Sequence, residues 1–271
     1  MLLSSQTKQQ LQNCNLHQEL CLFRVHFWYN QIMRLDKAII EAGLASRRQM
    51  KQLFRSQQIR VDGQAIQRPG QIVDSHLQDI RVAGQKLVTA KESYFLLNKP
   101  AGVVSACSDA NFQTVLDLLR EEDRVDGLFP IGRLDRDTEG LVLLTNNGPL
   151  GFRMLHPQHH VDKTYYVEVN DALHADAPAF FENGVTFLDG TRCQPAQLTI
   201  LSSQEGHSRA RVTISEGKFH QVKKMFLAYG VKVTYLKRIS FGGFNLEDSL
   251  PAGAYRQLTV EEIPILKKYF D

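Results

Sequence analysis

The chain has 271 residues, 43% hydrophobic and 23% charged, enough for one large domain, a small one and a sizeable core. A formal net charge of +3 and a pI near 8.6 permit a nucleic-acid partner without demanding one. The four cysteines, Cys14, Cys21, Cys107 and Cys193, include no CxxC pair, which argues against a zinc knuckle or a disulfide framework and makes a reducing cytoplasm the simplest setting.

Residues 1–32 are Gln-rich, and their apolar stretch from Leu20 to Trp28 is broken by Arg24 and His26, far short of a membrane span. They lack a small-residue cleavage site and are expected to be an extension, disordered or foreign to the natural protein. An upstream start or a cloning remnant fits them as well as a functional arm does.

A patterned segment begins at Met33. Leu35, Ile39 and Ala42 recur at helical spacing and Gly43 stands where a C-terminal cap belongs, which predicts a helix over Leu35 to Ala42. Ser46 and Gln49 fit a capping box, and Met50, Leu53 and Phe54 supply the apolar stripe of a second helix. That helix lines up Arg47, Lys51 and Arg55 at i, i+4 and i+8, with Arg48 close by. Such a row either solvates a helix or tracks a phosphate backbone. Ile59 and Val61 then alternate with polar residues into Asp62-Gly63, a hairpin signal, and Ala65-Ile66 return. The stretch RLDKAIIEAGLASRRQMKQLFRSQQIRVDGQAI resembles an S4-type RNA-binding domain, placed at 33–80. The resemblance favours the phosphate reading for Arg47, Arg48, Lys51 and Arg55, whose contacts would give salt-sensitive affinity and not base recognition. Ile80 and Val82 finish its sheet, and a polar linker is expected over 81–92.

From residue 93 to 271, short strand-like runs mix with two or three helices without a regular repeat, which predicts an α+β domain. Tyr94 to Leu97 reads as a strand ending in the loop Asn98-Lys99-Pro100-Ala101-Gly102, and Thr114 to Leu119 as a helix. Leu128 to Ile131 leads into GRLDRDTEGLVLLTNNG, residues 132–148. Here Leu141 to Leu144 form a buried strand closed by a turn, and Asp135 sits in the loop before it. Arg133 and Arg136 beside it would hold the carboxylate ionised, as a nucleophile requires. Asp135 with Asp137 also raises a carboxylate-pair enzyme or a metal site, but further oxygen ligands are lacking and the arginines would repel a divalent ion. A loop aspartate that merely caps a turn is the commoner case.

Lys163, Tyr165, Val167 and Val169 alternate with Thr164, Tyr166 and Glu168 at strand period, with Lys163 and Tyr165 on one face. A strand tyrosine is most often a core aromatic. Val222, Met225, Phe226 and Tyr229 at i, i+3, i+4 and i+7 predict a helix ended by Gly230, flanked by Lys218, Lys223 and Lys224, which by themselves read as solvated lysines. His156, His159, His160 and His220 are poorly spaced for zinc.

The motif at 132–148, together with FLLNKPAG, KTYYVEV and EGKFHQVKKMFLAYG, resembles the RsuA-type pseudouridine synthases of ribosomal RNA over residues 33 to about 264, with all pieces in order. The resemblance implies a catalytic domain over 93–271 with a mostly antiparallel mixed β-sheet core. It also implies Asp135 as the catalytic residue and Tyr165 as the aromatic that stacks on a flipped uracil and helps remove a proton. Lys223 becomes the counter-charge of the aspartate, where many relatives carry arginine, and Arg133 the side chain that fills the vacated stack. Lys163, Lys218 and Lys224 are expected to contact RNA. HPQHHVDKTYYV and HQVKKM look like the small-subunit branch, which implies uridine 516 of 16S rRNA, with the large-subunit branch and a silent RNA-binding or ribosome-assembly protein as the alternatives. No cofactor or metal is implied, and nothing demands more than a monomer.

Overall fold

A computed structural model describes residues 34–75, 78–87 and 93–269, which fall into two compact units, one built on 34–87 with Gly148–Phe152 and the other on the remainder of 93–269. The expected extension 1–32 lies outside the described residues. Among the described residues no helix is long and apolar enough to cross a membrane.

In the smaller unit, α1 (Leu35–Glu41) buries Leu35, Ala38 and Ile39, and Gly43 takes the left-handed conformation that ends it. The second helix, α2 (Arg47–Arg55), starts at Ser46, whose backbone N–H donates to Gln49 Oε1 at 2.8 Å, and it buries Met50 and Phe54. β1 (Ile59–Val61) turns through Asp62 and Gly63, both at positive φ, into β2 (Gln64–Ala65). Two left-handed residues in a two-residue loop make the primed turn that matches strand twist.

The linker expected from residue 81 starts later. β3 (Ile80–Val82) pairs with β1 and turns through Ala83 and Gly84, again both at positive φ, into β4 (Gln85–Lys86), and Leu87 is buried in the same core. Ala-Gly performs the turn that Asn-Gly or Asp-Gly announces, so the composition hid it.

The larger unit is a sheet of β5 (Tyr94–Lys99), β6 (Phe129–Ile131), β7 (Glu139–Thr145), β8 (Lys163–Val169), β9 (Gln197–Gln204), β10 (His207–Ile214), β11 (Val233–Phe241), β12 (Phe244–Asn245) and β13 (Tyr255–Gln257). Its order is β13-β5-β7-β11-β8-β10-β9, with β12 on β11 and β6 on β7. Every pairing is antiparallel except β7 with β11, so the mixed, mostly antiparallel α+β reading holds. The helices are α3 (Gly148–Leu155), α4 (Ala177–Glu182), α5 (Gln221–Tyr229) and α6 (Ile263–Lys267).

β5 and β7 lie side by side in the core. Every residue of β5 is buried, as is every residue of β7 after Glu139. Each fully buried Leu or Phe there contributes roughly 1.5–3 kcal/mol. Thr114 to Leu119 does not form the expected helix. Thr114 makes a bridge to Val104, and its N–H and hydroxyl both go to Asp117 Oδ2 at 2.7 and 2.8 Å. That reciprocal pairing resembles a helix cap, yet the backbone bonds that follow, Asp117 N–H to Thr114 O at 3.1 Å and Leu119 N–H to Leu116 O at 3.2 Å, close three-residue turns, and the segment is a run of turns.

Candidate active site

The loop from Gly132 to Thr138 is fixed from beneath by the loop after β5. Lys99 is fully buried, and its Nζ donates to the carbonyls of Pro100 at 2.9 Å, Arg136 at 3.1 Å and Thr138 at 2.7 Å. Gly102 N–H donates to Arg136 O at 2.8 Å, and Ser105 Oγ both accepts from Leu134 N–H and donates to Leu134 O. These bonds leave the loop little freedom on either side of Asp135. Burial pushes the Lys99 pKa down to about 8 against the pull of Asp137, Glu139 and Asp135.

Gly140 shows why the loop must join the sheet as it does. Its φ is +103°, and a Cβ there would lie 2.2 Å from Arg238 O and 2.7 Å from Arg238 N, so only glycine lets β7 enter its parallel pairing with β11.

Asp135 and Asp137 meet one lysine from a separate element. Lys223 Nζ lies 3.1 Å from Asp135 Oδ2 and 2.7 and 2.8 Å from the two oxygens of Asp137. His220 Nε2 stands 3.6 Å from Asp135 Oδ1. The lysine is aimed by α5, which buries Val222, Met225 and Phe226. The start of α5 is tied by Lys218 N–H to Gln221 Oε1 and by Gln221 Nε2 to Glu216 Oε1. Burial disfavours the Lys223 ammonium, but its bonds to Asp137 and Asp135 carry its pKa above the ordinary lysine value. The hydrogen bond from Lys223 holds Asp137 below the usual carboxylate range. Among the described residues the ion-pair partner of Asp135 is therefore Lys223, with the His220 ring beside it. The expectation that Arg133 and Arg136 supply its counter-charge is corrected: both side chains are exposed, and Arg136 lies over the Phe112 ring, 4.3 Å from its centroid.

Tyr165 on β8 is buried among core side chains, opposite Arg238 in the register of β8 and β11. Arg238 is fully buried. Its Nε donates to Leu141 O at 2.7 Å, its guanidinium lies 4.9 Å from the Phe241 centroid, and its Nη2 has no hydrogen-bond partner. Tyr165 and Arg238 thus join β8, β11 and the strand that begins just after the aspartate.

The remaining expected residues are dispersed. Lys163 Nζ donates to Val161 O at 2.7 Å and stands 5.4 Å from the Phe241 centroid, with burial pushing its pKa down to about 8. Lys218 is bonded to Glu216. Lys224 reaches Asp189 at 3.4 Å and stands 5.2 and 5.7 Å from the ring centroids of Phe187 and Phe219. On the smaller unit, Arg47, Arg48, Lys51 and Arg55 are all exposed, and Arg48, Lys51 and Arg55 line an open groove with Gln52 and Ser56. Among the described residues no three His, Cys, Asp or Glu side chains gather as a metal would need.

Sequence reasoning passed over Lys99 and Arg238, and it weighed Asp137 and His220 only as candidates for a carboxylate pair or a metal. Two of them carried a signal: Lys99 stands two residues past the apolar run YFLL of a wholly buried strand, and Arg238 shares the parity of buried Leu236 on β11. A cation at a buried parity position must find acceptors, which marks it as a positioning residue.

Residues 93–228 match the model of the RNA pseudouridylate synthase family, and residues 33–79 that of the S4 domain. An RNA pseudouridine synthase of Bacillus subtilis, YtzG, is 40% identical over 87% of this chain and 99% of its own. The ribosomal small subunit pseudouridine synthase A of Yersinia pestis is 40% identical over 85% and 97%. A crystal structure of a pseudouridylate synthase, 35% identical, superposes with a TM-score of 0.60 over 86% of this chain and 99% of that one.

Proposed function

This chain belongs to the RNA pseudouridylate synthase family, and from that premise we propose that it converts one uridine of ribosomal RNA, uridine 516 of the 16S molecule, into pseudouridine in the cytoplasm. The observation that carries the reading is the Asp135 carboxylate, on a loop pinned by Lys99, meeting Lys223 from a separate helix. The small-subunit target is supported by the identity to the Yersinia pestis protein so named.

The reaction breaks the bond from ribose C1′ to uracil N1, turns the base, joins C1′ to C5, and moves the C5 proton to solvent while N1 gains one. It is redox-neutral and consumes no second substrate. Because C1′ and the base must be reached together, the nucleotide leaves the RNA stack, at a cost of a few kcal/mol. In this reading Asp135 begins the exchange at the ribose or the base, and Lys223 sets its charge. Tyr165 stacks on the uracil and helps remove the proton. Arg133, exposed two residues before the aspartate, fills the gap left in the RNA. The exposed cations of α2 bring the phosphate backbone in, supported by the match to the S4 domain.

The test is incubation with unmodified 16S transcript and with partly assembled small subunits, followed by mapping of carbodiimide-reactive pseudouridine. A new site in the 16S molecule is expected. A site in 23S rRNA instead overturns the target alone. Binding without any modified site overturns the enzyme reading in favour of a silent assembly protein. Asp135→Asn should retain RNA affinity and lose turnover by at least about a thousandfold, read as product formed in a single-turnover assay. Full turnover by that variant removes Asp135 from its role.

A further inference from the structure

Arg136 is the cation next to Asp135 that does not serve it. Among the described residues its guanidinium makes no hydrogen bond or ion pair, and one face lies over the Phe112 ring, 4.3 Å from the centroid. Its backbone is fixed independently, since Arg136 O accepts from Gly102 N–H and Lys99 Nζ. Phe112 is 44% exposed and is also held in place: Asp109 Oδ1 accepts from the N–H groups of Asn111 and Phe112 at 2.9 and 3.0 Å. An exposed phenylalanine on a turn held by Asp109, beneath an arginine with unspent donors, gives that flexible side chain an aromatic surface to rest on.

We propose that the outer face of the Arg136 guanidinium, backed by Phe112, is a stacking platform for an unpaired base adjacent to the target uridine, with its N–H edge toward that nucleotide's phosphate. The proposal rests on the RNA-modifying reading of the site. The position fits, because Arg136 follows Asp135 directly in the chain and its side chain is exposed. The chemistry fits as well: single-stranded RNA is held by stacking on aromatic rings and arginine planes, which tolerates any base, while a lysine in the same place offers charge without a plane. The preformed pair also avoids much of the cost of ordering an arginine on binding.

The experiment uses the full chain and short single-stranded RNAs with one central uridine and 2-aminopurine on its 5′ or 3′ side. Wild type should quench one of the two probes on binding. Arg136→Lys and Phe112→Leu should lose that quenching and bind about tenfold more weakly, while the slope of log Kd against log salt is unchanged for both and melting temperatures stay at wild type. Equal quenching and affinity in both variants overturns the proposal. So does full rescue by Arg136→Lys of a defect seen in Arg136→Ala, which would make the residue a phosphate contact only. Failure of the underlying function is read separately: wild type would then modify neither rRNA, whatever the probes report.

Discussion

The cations of α2 and those around Asp135 are the same residue types put to opposite uses. Arg47, Arg48, Lys51 and Arg55 stand exposed, and among the described residues they have no hydrogen-bond or ion-pair partner. Lys99 and Arg238 are wholly buried, and Lys223 is shared between two carboxylates. An unpaired surface cation suits a phosphate backbone that arrives in many registers, since little geometry has to be kept. A buried cation fixed by carbonyls cannot meet a substrate at all; it sets where other groups stand. The comparison teaches that charge alone does not mark an RNA contact, whereas burial and acceptor count separate binding from positioning.

The largest break in that comparison comes at Lys99. Lys99→Met leaves the carbonyls of Pro100, Arg136 and Thr138 without this donor, which should cost about 2–4 kcal/mol and lower Tm by several degrees, measured by calorimetry. Turnover should fall with it, because the bonds to Arg136 and Thr138 hold the half of the loop that follows Asp135. The same lysine sets a pH effect. With its pKa lowered to about 8, the ammonium persists below that pH, and above it an amine with two N–H groups faces three carbonyls. Activity should therefore decline as pH rises past about 8. Stability runs the other way over the same window: the penalty of the buried charge is fully present below about 8 and fades as pH rises toward the ordinary lysine value. Lys163→Met should keep the alkaline limb of a pH–rate profile, and Lys99→Met should lose it.

Substituting Arg47, Lys51 and Arg55 together with Gln should leave Tm and single-turnover rate near wild type. The three substitutions should raise Kd for rRNA by about 10- to 100-fold and flatten the salt slope by about 2, measured by filter binding across a salt series. An unchanged slope would break the assignment of this face to phosphates. The smallest change is expected at Asp137. Asp137→Asn removes one of two carboxylates from Lys223, so the lysine pKa should drop toward the ordinary value and turnover should shift only a few-fold, measured by lysine titration in NMR and by kcat.

Much of this was legible in the chain. The run LVLLT announced β7, KTYYVEV announced β8, and the spacing of Val222, Met225, Phe226 and Tyr229 announced α5, because an unbroken apolar run reports burial on both faces of a strand while the two periodic patterns report burial on one face. Asp135 with Lys223 came from resemblance and not from spacing, since no local rule links residues 88 positions apart. What stayed hidden depended on three-dimensional acceptors. Nothing near Lys99 in sequence says that three carbonyls surround it, and Arg136 reads as a counter-ion until Phe112 is seen beneath it. The turns from Thr114 look helical in sequence because Thr114 and Asp117 pair as a helix cap does, whereas the bridge from Thr114 to Val104 is a long-range contact that periodicity cannot express.

The parallel pairing of β7 with β11 has a consequence for synthesis. Gly140 sits against Arg238, so the strand that follows the aspartate loop and the strand it pairs with emerge from the ribosome roughly a hundred residues apart, a long-range closure of the kind that forms late in folding. Until β11 docks, the nascent chain carries the smaller unit's cations and the aspartate loop without Arg238 beside it, and α5 precedes β11 by only a few residues. In that interval the exposed cations of α2 are complete while the pairing of Gly140 with Arg238 is not.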